Sequence, residues 1–210
     1  MRKLWLAALL VVIALPVLTQ ASVITFGGTS LCGDTCAGTQ VPDGYGNSNF
    51  TWGGSFYAYG NIPYDANYGN TYGAPSGAFA YNAFGDSPIT LNSSVAFTFN
   101  GADFSTFAQN NQFQTFSSTT IEIQGYNGST LVGTVVANLS STSFNFVTAD
   151  FANVTSLVFT NDCGSCSGRW WLMDDFTYNQ GGTTPEPGTM VMFGSGLLVA
   201  AGAIRRRFRS

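Results

Sequence analysis

The feature that most constrains the fold is a series of short segments in which apolar and polar residues alternate. Residues 95–99 read VAFTF and residues 121–124 read IEIQ, so apolar side chains recur at every second position. A period of two places successive side chains on opposite faces of a β-strand, and no segment of the body shows the 3.6-residue period of an amphipathic helix. The alternation therefore predicts an all-β domain.

Four more segments of this kind follow, at residues 131–137, 144–147, 156–160 and 170–178. Asn127-Gly128 separates two of the segments and is typical of a type I′ β-hairpin. Many short antiparallel strands must each bury one face against a second sheet, so we expect a jelly-roll-like β-sandwich. Residues 41–83 are rich in Gly, Asn, Pro and Tyr, which predicts long loops with a few strands.

Basic residues are concentrated at the two ends of the chain. Between Ser22 and Thr184 the only basic residue is Arg169, against ten acidic residues, so this body has a net charge of −9. Such a body cannot neutralise a phosphate backbone, and we expect no nucleic-acid partner. The chain also has no histidine, which removes Ser-His-Asp and Cys-His catalysis and the commonest metal ligand. A hydrolase function therefore loses most of its support, and we predict that the protein is not an enzyme.

The N-terminal segment has the layout of a secretory signal peptide. The sequence MRK supplies positive charge, an apolar stretch covers residues 4–18, and the small residue Ala21 stands at the expected cleavage position. This order of parts predicts a signal helix over residues 1–21, cleaved after Ala21. An uncleaved membrane anchor is the alternative, although the apolar stretch is short for a spanning helix.

The C-terminal segment also has three parts in order. They are the triplet Pro185, Glu186 and Pro187, the apolar run 189–204, and the basic cluster Arg205, Arg206 and Arg207. The apolar run with its flanks is long enough for a transmembrane helix, and arginines resist translocation. We therefore expect the tail to lie on the cytoplasmic side and the body outside. A plain tail anchor without processing is the alternative.

This three-part segment resembles the PEP-CTERM sorting signal, which a membrane exosortase recognises and cleaves in that family. The resemblance implies exosortase as a processing partner, a hold in the inner membrane before cleavage, and a final place at the cell surface or in the medium. The body also resembles a recurrent domain of PEP-CTERM proteins, for which no enzymatic activity is implied, at residues 41–45, 70–76, 81–84, 125–128 and 173–178. The expected divisions are a signal peptide (1–21), a β-sandwich (22–179), a linker (180–184) and a sorting signal (185–210).

The four cysteines form two close pairs in the sequence, Cys32 with Cys36 and Cys163 with Cys166. An exported chain enters an oxidising compartment, which favours disulfides. Four cysteines allow three pairings, and we expect each close pair to bond internally. Zinc is the alternative, because thiolates at such spacings bind zinc. A redox role for the second pair lacks the strand-to-helix setting that such motifs need.

Two adjacent pairs in the last predicted strand are candidate ligand-binding residues. Trp170 and Trp171 alternate, so we expect one in the core, while the other can stack on a sugar ring. Asp174 and Asp175 also alternate and cannot form a close carboxylate pair for glycoside hydrolysis on one face. Asp175 is a candidate ligand of a structural calcium ion, with a solvated or backbone-capping aspartate as the alternative. No other cofactor is expected.

The sequence leaves three functions open for the body. The first is a non-catalytic protein of the cell surface or exopolysaccharide, passive or weakly sugar-associating. The second is a carbohydrate-binding module that recognises an extracellular polysaccharide. The third is an enzyme, for which the sequence offers no convincing set of catalytic residues.

Overall fold

Strands dominate the body, as the alternating segments predict. The computed structural model describes residues 21–27, 31, 33–68, 73–108, 115–164 and 168–180. Within these residues there are ten strands and one α-helix, and every pairing between the strands is antiparallel. The prediction of an all-β domain is confirmed.

The strands are β1 (Ser22–Ile24), β2 (Thr39–Gln40), β3 (Phe50–Thr51), β4 (Phe56–Gly60), β5 (Ala78–Asn82), β6 (Ile89–Thr106), β7 (Thr120–Asn127), β8 (Thr130–Asn138), β9 (Asn145–Asn161) and β10 (Trp171–Gln180). The helix α1 spans Asn61–Tyr68, and a 3-10 turn spans Ala83–Gly85. No helix was predicted at α1, because eight residues, of which only Tyr64 is buried among residues 61–67, give too short a periodic signal. Its Pro63 lies in the first turn, where a missing N–H breaks no helical hydrogen bond.

The two terminal helices that the sequence predicts lie outside the described residues, since residues 1–20 and 181–210 are not described. Across the part of the chain that is described, no helix is both long and apolar enough to cross a membrane.

The strands join into one continuous sheet. Their order is β2-β4-β5-β10-β6-β9-β7-β8, with β1 also paired to β10 and β3 to β6. Three strands separate β4 from β9 in this order, yet the rings of Phe56 and Phe159 have centroids 5.7 Å apart. The sheet therefore folds over, so that its distant strands share one core.

Strands β6 and β9 are long because they bend instead of ending. The register between them shifts at three places. Within β9, Asp150 and Asn153 have φ of 50° and 58°, a left-handed conformation that Asp and Asn tolerate better than most residues. Bulges of this kind bend a strand and increase its twist. The predicted segments 144–147, apart from Phe144, and 156–160 therefore belong to a single strand.

The core inside the fold is built largely from aromatic rings. Trp52 is fully buried and meets Phe56 at 5.3 Å and Phe176 at 5.6 Å, with both pairs close to edge-to-face. Phe99 stacks on Phe176 at 4.8 Å. Aromatic pairs in these arrangements stabilise a core beyond the area that they bury. The body is therefore a rigid support for the residues on its surface.

The hairpin between β7 and β8 lies where the sequence predicts it, but its turn type differs. Asn127 pairs with Thr130, so the loop residues are Gly128 and Ser129. Gly128 has φ of 58°, whereas Ser129 is not in the left-handed region. A type I′ turn needs positive φ at both loop residues, so the predicted type is wrong and the loop fits type II′, with glycine first.

Candidate functional site

Strands β4 and β5 place their large side chains on the face away from the core. Both strands alternate, and the positions that point into the core are small residues except at Phe56 and Asn82. On the opposite face, Tyr57 pairs with Tyr81 and Tyr59 pairs with Phe79. The pleat of a strand sends successive side chains to opposite faces, so these four aromatic rings form a continuous surface outside the main core, while Phe79 itself is buried in a second apolar cluster.

This surface forms one wall of a cleft of about 360 Å³. The described lining residues are Tyr57, Tyr59, Tyr64, Phe79, Tyr81, Ala83, Phe84, Phe107, Phe116 and Trp170. None of them carries a charge. The volume lies within the range of roughly 300–1,000 Å³ that is typical of small-molecule sites.

Helix α1 and the segment after β6 supply the next part of the wall. The ring of Tyr64, on α1, is buried and lies 4.7 Å from Phe79 and 5.6 Å from Phe107. Asn67 of the same helix donates from Nδ2 to the hydroxyl oxygen of Tyr59 at 3.1 Å. The helix therefore fixes both the ring of Phe79 and the polar end of Tyr59.

Trp170 completes the aromatic wall and is held there through its backbone. Its N–H donates to the carbonyl oxygen of Phe116 at 2.8 Å, and its carbonyl oxygen accepts from the N–H of Ser118 at 2.8 Å. The partly buried indole lies 5.5 Å from the ring of Phe107 and 5.7 Å from that of Phe116. Pairing on both sides fixes the direction in which the indole points.

Trp171 has the opposite environment. It is fully buried, and its ring lies 5.6 Å from Phe159 and 5.9 Å from Phe104 in the main core. The two tryptophans therefore lie on opposite faces of the sheet, as alternation predicts, and Trp170 is the one that reaches the cleft. Sugar stacking by Trp170 stays a prediction, whereas Trp171 has no access to a ligand.

A single buried side chain, Asn82, ties the cleft to the core. Its Nδ2 donates to the carbonyl oxygens of Asp86 at 2.9 Å and Arg169 at 2.8 Å, and its Oδ1 accepts from the N–H of Trp171 at 2.9 Å. Buried amides are well placed when all their groups are paired in this way. Sequence reasoning did not single out Asn82, because one asparagine in an asparagine-rich chain carries no periodic or spacing signal.

The 3-10 turn after Asn82 carries the most exposed aromatic residue of the cleft. Phe84 has φ of 56° and ψ of 10°, and 76% of its surface is accessible. A bulky residue in the left-handed region is uncommon and indicates local strain. Sequence reasoning noted residues 81–84 only as part of a resemblance and gave Phe84 no role.

Arg169 lies next to the cleft in sequence but serves the neighbouring loops. Its Nη1 donates to the carbonyl oxygen of Ser117 at 3.0 Å, and its Nε lies 4.0 Å from a carboxylate oxygen of Asp162. An ion pair of this length between partly exposed groups adds little stability. The guanidinium thus supports the segment that pairs with Trp170.

Asp174 is a buried carboxylate on strand β10. It accepts hydrogen bonds from the N–H and the hydroxyl of Ser76, both at 2.8 Å. Burial raises the pKa of Asp174 to about 6, because desolvation outweighs the hydrogen bonds from Ser76 and from the backbone of Asp175 that favour the charged form. The side chain therefore attaches the loop before β5 to β10.

Asp175 differs from its neighbour in conformation and exposure. It is partly exposed and has φ of 47°, at a shift in the register between β10 and β6. Burial raises its pKa, and burial followed by the charge of Asp175 raises the pKa of Asp103. In the described ranges no group of three or more His, Cys, Asp or Glu side chains is placed to hold a metal ion. Calcium binding at Asp175 stays a prediction.

The cysteines lie in two separate loops. Cys36 and Cys163 are disulfide-bonded, and neither is a free thiol. Cys32 and Cys166 lie outside the described residues. Which cysteines are joined, and the expected bonding within each close pair, therefore stay predictions.

The sorting residues that the sequence singles out also lie outside the described residues, and their individual roles stay predictions. No curated protein and no solved structure matches the chain. A family model described as the PEP-CTERM protein-sorting motif matches residues 183–207, which include the Pro185-Glu186-Pro187 triplet and the arginines up to Arg207. The chain therefore contains a PEP-CTERM protein-sorting motif.

Proposed function

We propose that this protein is an exosortase-processed surface protein whose body associates with an extracellular polysaccharide through the aromatic cleft, without catalysis. The carrying observation is a cleft of about 360 Å³ in which nine of the ten described lining residues are aromatic and none is charged. Such a surface suits the second of the functions left open by the sequence, a carbohydrate-binding module.

The chemistry of the cleft matches a sugar ring. One face of a pyranose presents C–H groups that pack on an aromatic face, while its hydroxyls need hydrogen-bonding partners at the edge. The indole of Trp170 and the rings of Phe116 and Phe84 supply apolar faces, and the phenol groups of Tyr57 and Tyr81 supply polar edges. The small number of polar groups favours orientation of a ligand over its chemical conversion.

The absence of catalysis is part of the proposal. Hydrolysis of a glycosidic bond needs two carboxyl groups on either side of the bond. The described residues that line the cleft include no Asp or Glu. The raised pKa of Asp174 belongs to a carboxylate whose oxygens accept from Ser76, and this role is structural.

The delivery of the body follows from its sorting motif. We expect a jelly-roll-like sandwich to be held at the inner membrane through the C-terminal apolar run until exosortase cuts the chain. The match at residues 183–207 supports processing and surface sorting. The aromatic cleft supports polysaccharide binding by the body after release, because a protein at the cell surface is exposed to extracellular polysaccharide.

Glycan binding by the exported protein, recovered from the surface or medium fraction, tests the proposed function. Wild-type protein should bind an uncharged polysaccharide in a glycan array and in affinity electrophoresis, and Trp170→Ala should lose that binding. Phe146→Ala is a matched control, since Phe146 is 50% exposed but does not line the cleft. Equal binding by wild type and Trp170→Ala, or release of reducing sugar from the glycan, would refute the proposal.

Structural calcium at Asp175 is a separate proposal. Its support is the pair of carboxylates of Asp103 and Asp175, which are close enough for the charge of one to raise the pKa of the other. A cation specific to the folded state would raise Tm by mass action. Millimolar calcium should then raise Tm relative to chelator, and Asp175→Asn should weaken the rise. An unchanged Tm between calcium and chelator would contradict the proposed calcium site.

A further inference from the structure

Phe84 is placed in a conformation that its residue type disfavours. Its backbone is left-handed, at φ 56° and ψ 10°, and its ring is 76% exposed to solvent. None of the ring contacts among the described residues includes Phe84, although the aromatic residues around it pack on one another. Neither a backbone preference nor burial of the ring in the free protein accounts for a phenylalanine here.

The surrounding residues fix this conformation. The N–H of Gly168 donates to the carbonyl oxygen of Phe84 at 3.1 Å, and Nδ2 of Asn82 donates to the carbonyl oxygen of Asp86 at 2.9 Å. Ser55 donates its hydroxyl to Asp86 at 2.7 Å. Gly85 lies so close to the backbone of Gly168 that a side chain there would overlap it. Strained residues persist only where their neighbours hold them, and such residues cluster at ligand sites.

The fixed turn presents the ring to the cleft. Phe84 lines the cleft together with Phe116, which is 45% exposed, and with Trp170. A ligand in the cleft can therefore meet aromatic rings that come from three separate segments of the chain. Because the backbone of the turn is already held before binding, only the ring of Phe84 has to be ordered when the ligand arrives.

We propose that Phe84 is a pre-organised specificity residue that stacks on an uncharged pyranose whose hydroxyls are equatorial. This proposal rests on the proposed function and names its ligand class. The described lining residues carry no charge that could pair with an acidic sugar, and burial of an unpaired carboxylate would oppose binding. Equatorial hydroxyls leave C–H groups on both faces of the sugar ring. One face can therefore pack on Phe84 while the other packs on Trp170.

The test uses exported protein and two probes, cellohexaose, which is uncharged and equatorial, and oligogalacturonate, which is acidic. Phe84→Gly should weaken cellohexaose binding about tenfold or more, as expected for a central aromatic contact. Phe84→Leu, which keeps apolar bulk without an aromatic face, should weaken it as well. Phe146→Ala should leave the affinity unchanged, and oligogalacturonate should not compete.

The melting temperature separates this role from a structural one. Glycine adopts positive φ without strain, so Phe84→Gly should melt no lower than wild type while it binds more weakly. Two results would overturn the role of Phe84 and leave the proposed function standing. The first is a lower Tm for Phe84→Gly. The second is an affinity of Phe84→Gly within twofold of wild type while Trp170→Ala loses binding. Wild-type protein that binds oligogalacturonate as well as cellohexaose would overturn the ligand class. No binding of any glycan by wild type would overturn both proposals.

Discussion

The side-chain amide of Asn82 donates to the carbonyl oxygen of Arg169 at 2.8 Å and so joins the end of β5 to the residue before Trp170. The same side chain accepts from the N–H of Trp171 at 2.9 Å. The tryptophan of the cleft and the tryptophan of the core are thus positioned by one buried residue. Stability of the core and geometry of the cleft are coupled at this point.

Replacement of Asn82 tests that coupling. Asn82→Ala removes three hydrogen bonds to backbone groups, and of these groups only the carbonyl oxygen of Arg169 keeps another partner among the described residues, Nδ2 of Asn161 at 3.2 Å. We therefore expect the free energy of unfolding to fall by about 3 kcal/mol. Asn82→Asp keeps the shape but sets a carboxylate against two carbonyl oxygens, so it should cost at least as much at pH 7. Urea unfolding measures both, with the exposed Asn138→Ala as control. A loss below about 0.5 kcal/mol for Asn82→Ala, as for ordinary surface changes, would contradict the prediction.

Two glycines in and beside the turn allow the energetic cost of steric overlap to be distinguished from the cost of a left-handed backbone. Gly85 and Gly168 have φ of 68° and 89°, but an added side chain would overlap neighbouring backbone only at Gly85. We expect Gly168→Ala to cost about 1 kcal/mol and Gly85→Ala at least about twice that. Thermal unfolding of the two variants compares them. Equal losses of stability in the two variants would show that the turn can accommodate a side chain at Gly85.

Asp174 predicts a pH dependence with a definite sign. Its pKa is about 6 in the folded protein against 3.8 unfolded, so the folded state binds the proton more tightly. The resulting stability is fully present below pH 3.8 and is lost as pH rises through 6. Between pH 7 and pH 4 the gain amounts to about 2 kcal/mol. Between pH 7 and pH 4, urea unfolding should therefore show a larger gain in the free energy of unfolding for wild type than for Asp174→Asn. Parallel pH profiles of this free energy in the two proteins would refute the prediction.

The cysteine pairing can be read by mass spectrometry of the exported protein. Cys36 closes a turn by donating its N–H to the carbonyl oxygen of Gly33 at 3.1 Å, so the backbone reverses within four residues. We expect no alkylation before reduction, and peptides that join Cys32 to Cys36 and Cys163 to Cys166. Four labelled thiols in unreduced protein, stoichiometric zinc, or a peptide that joins the two loops would each contradict this expectation.

Processing should depend separately on the two ends of the sorting motif. Alanines at residues 185–187 should leave an anchored, uncut protein, because the cleavage region is altered while the arginines still oppose translocation. Serines at residues 205–207 should weaken retention and reduce processing. Intact masses of surface and medium fractions measure both. Wild-type protein that ends at Ser210, in cells that contain an exosortase, would show that the tail is a permanent anchor.

Local alternation explains what the sequence could predict of the fold. In β7, Ile121 and Ile123 are buried while their neighbours are partly exposed, and this pattern is visible in four residues. In β4 the pattern is inverted, since Ala58 points to the core and Tyr57 and Tyr59 point away. A rule that assigns large apolar residues to the core misreads such a strand, and we expected mostly loops there.

The cleft could not be predicted because its residues meet only through distant pairings. Trp170 was singled out from its own strand, but its partners Phe107 and Phe116 come from other segments. Phe84 owes its exposure to contacts with Gly168 that no local pattern encodes. Local sequence thus predicted one side chain of the site, and tertiary pairing supplied the others.

The position of β10 in the sheet has a consequence for the order of events during export. This strand is the last in the body, yet it pairs with β1, β5 and β6, so the core cannot close before residues 171–180 are available. The sorting motif begins only three residues later, at residue 183. In a chain that crosses the membrane N-terminus first, the body stays unable to complete its fold until the motif itself reaches the membrane. A truncation that removes the motif but keeps residue 180 therefore leaves the core complete, whereas a truncation only a few residues longer removes part of the strand that joins β1, β5 and β6.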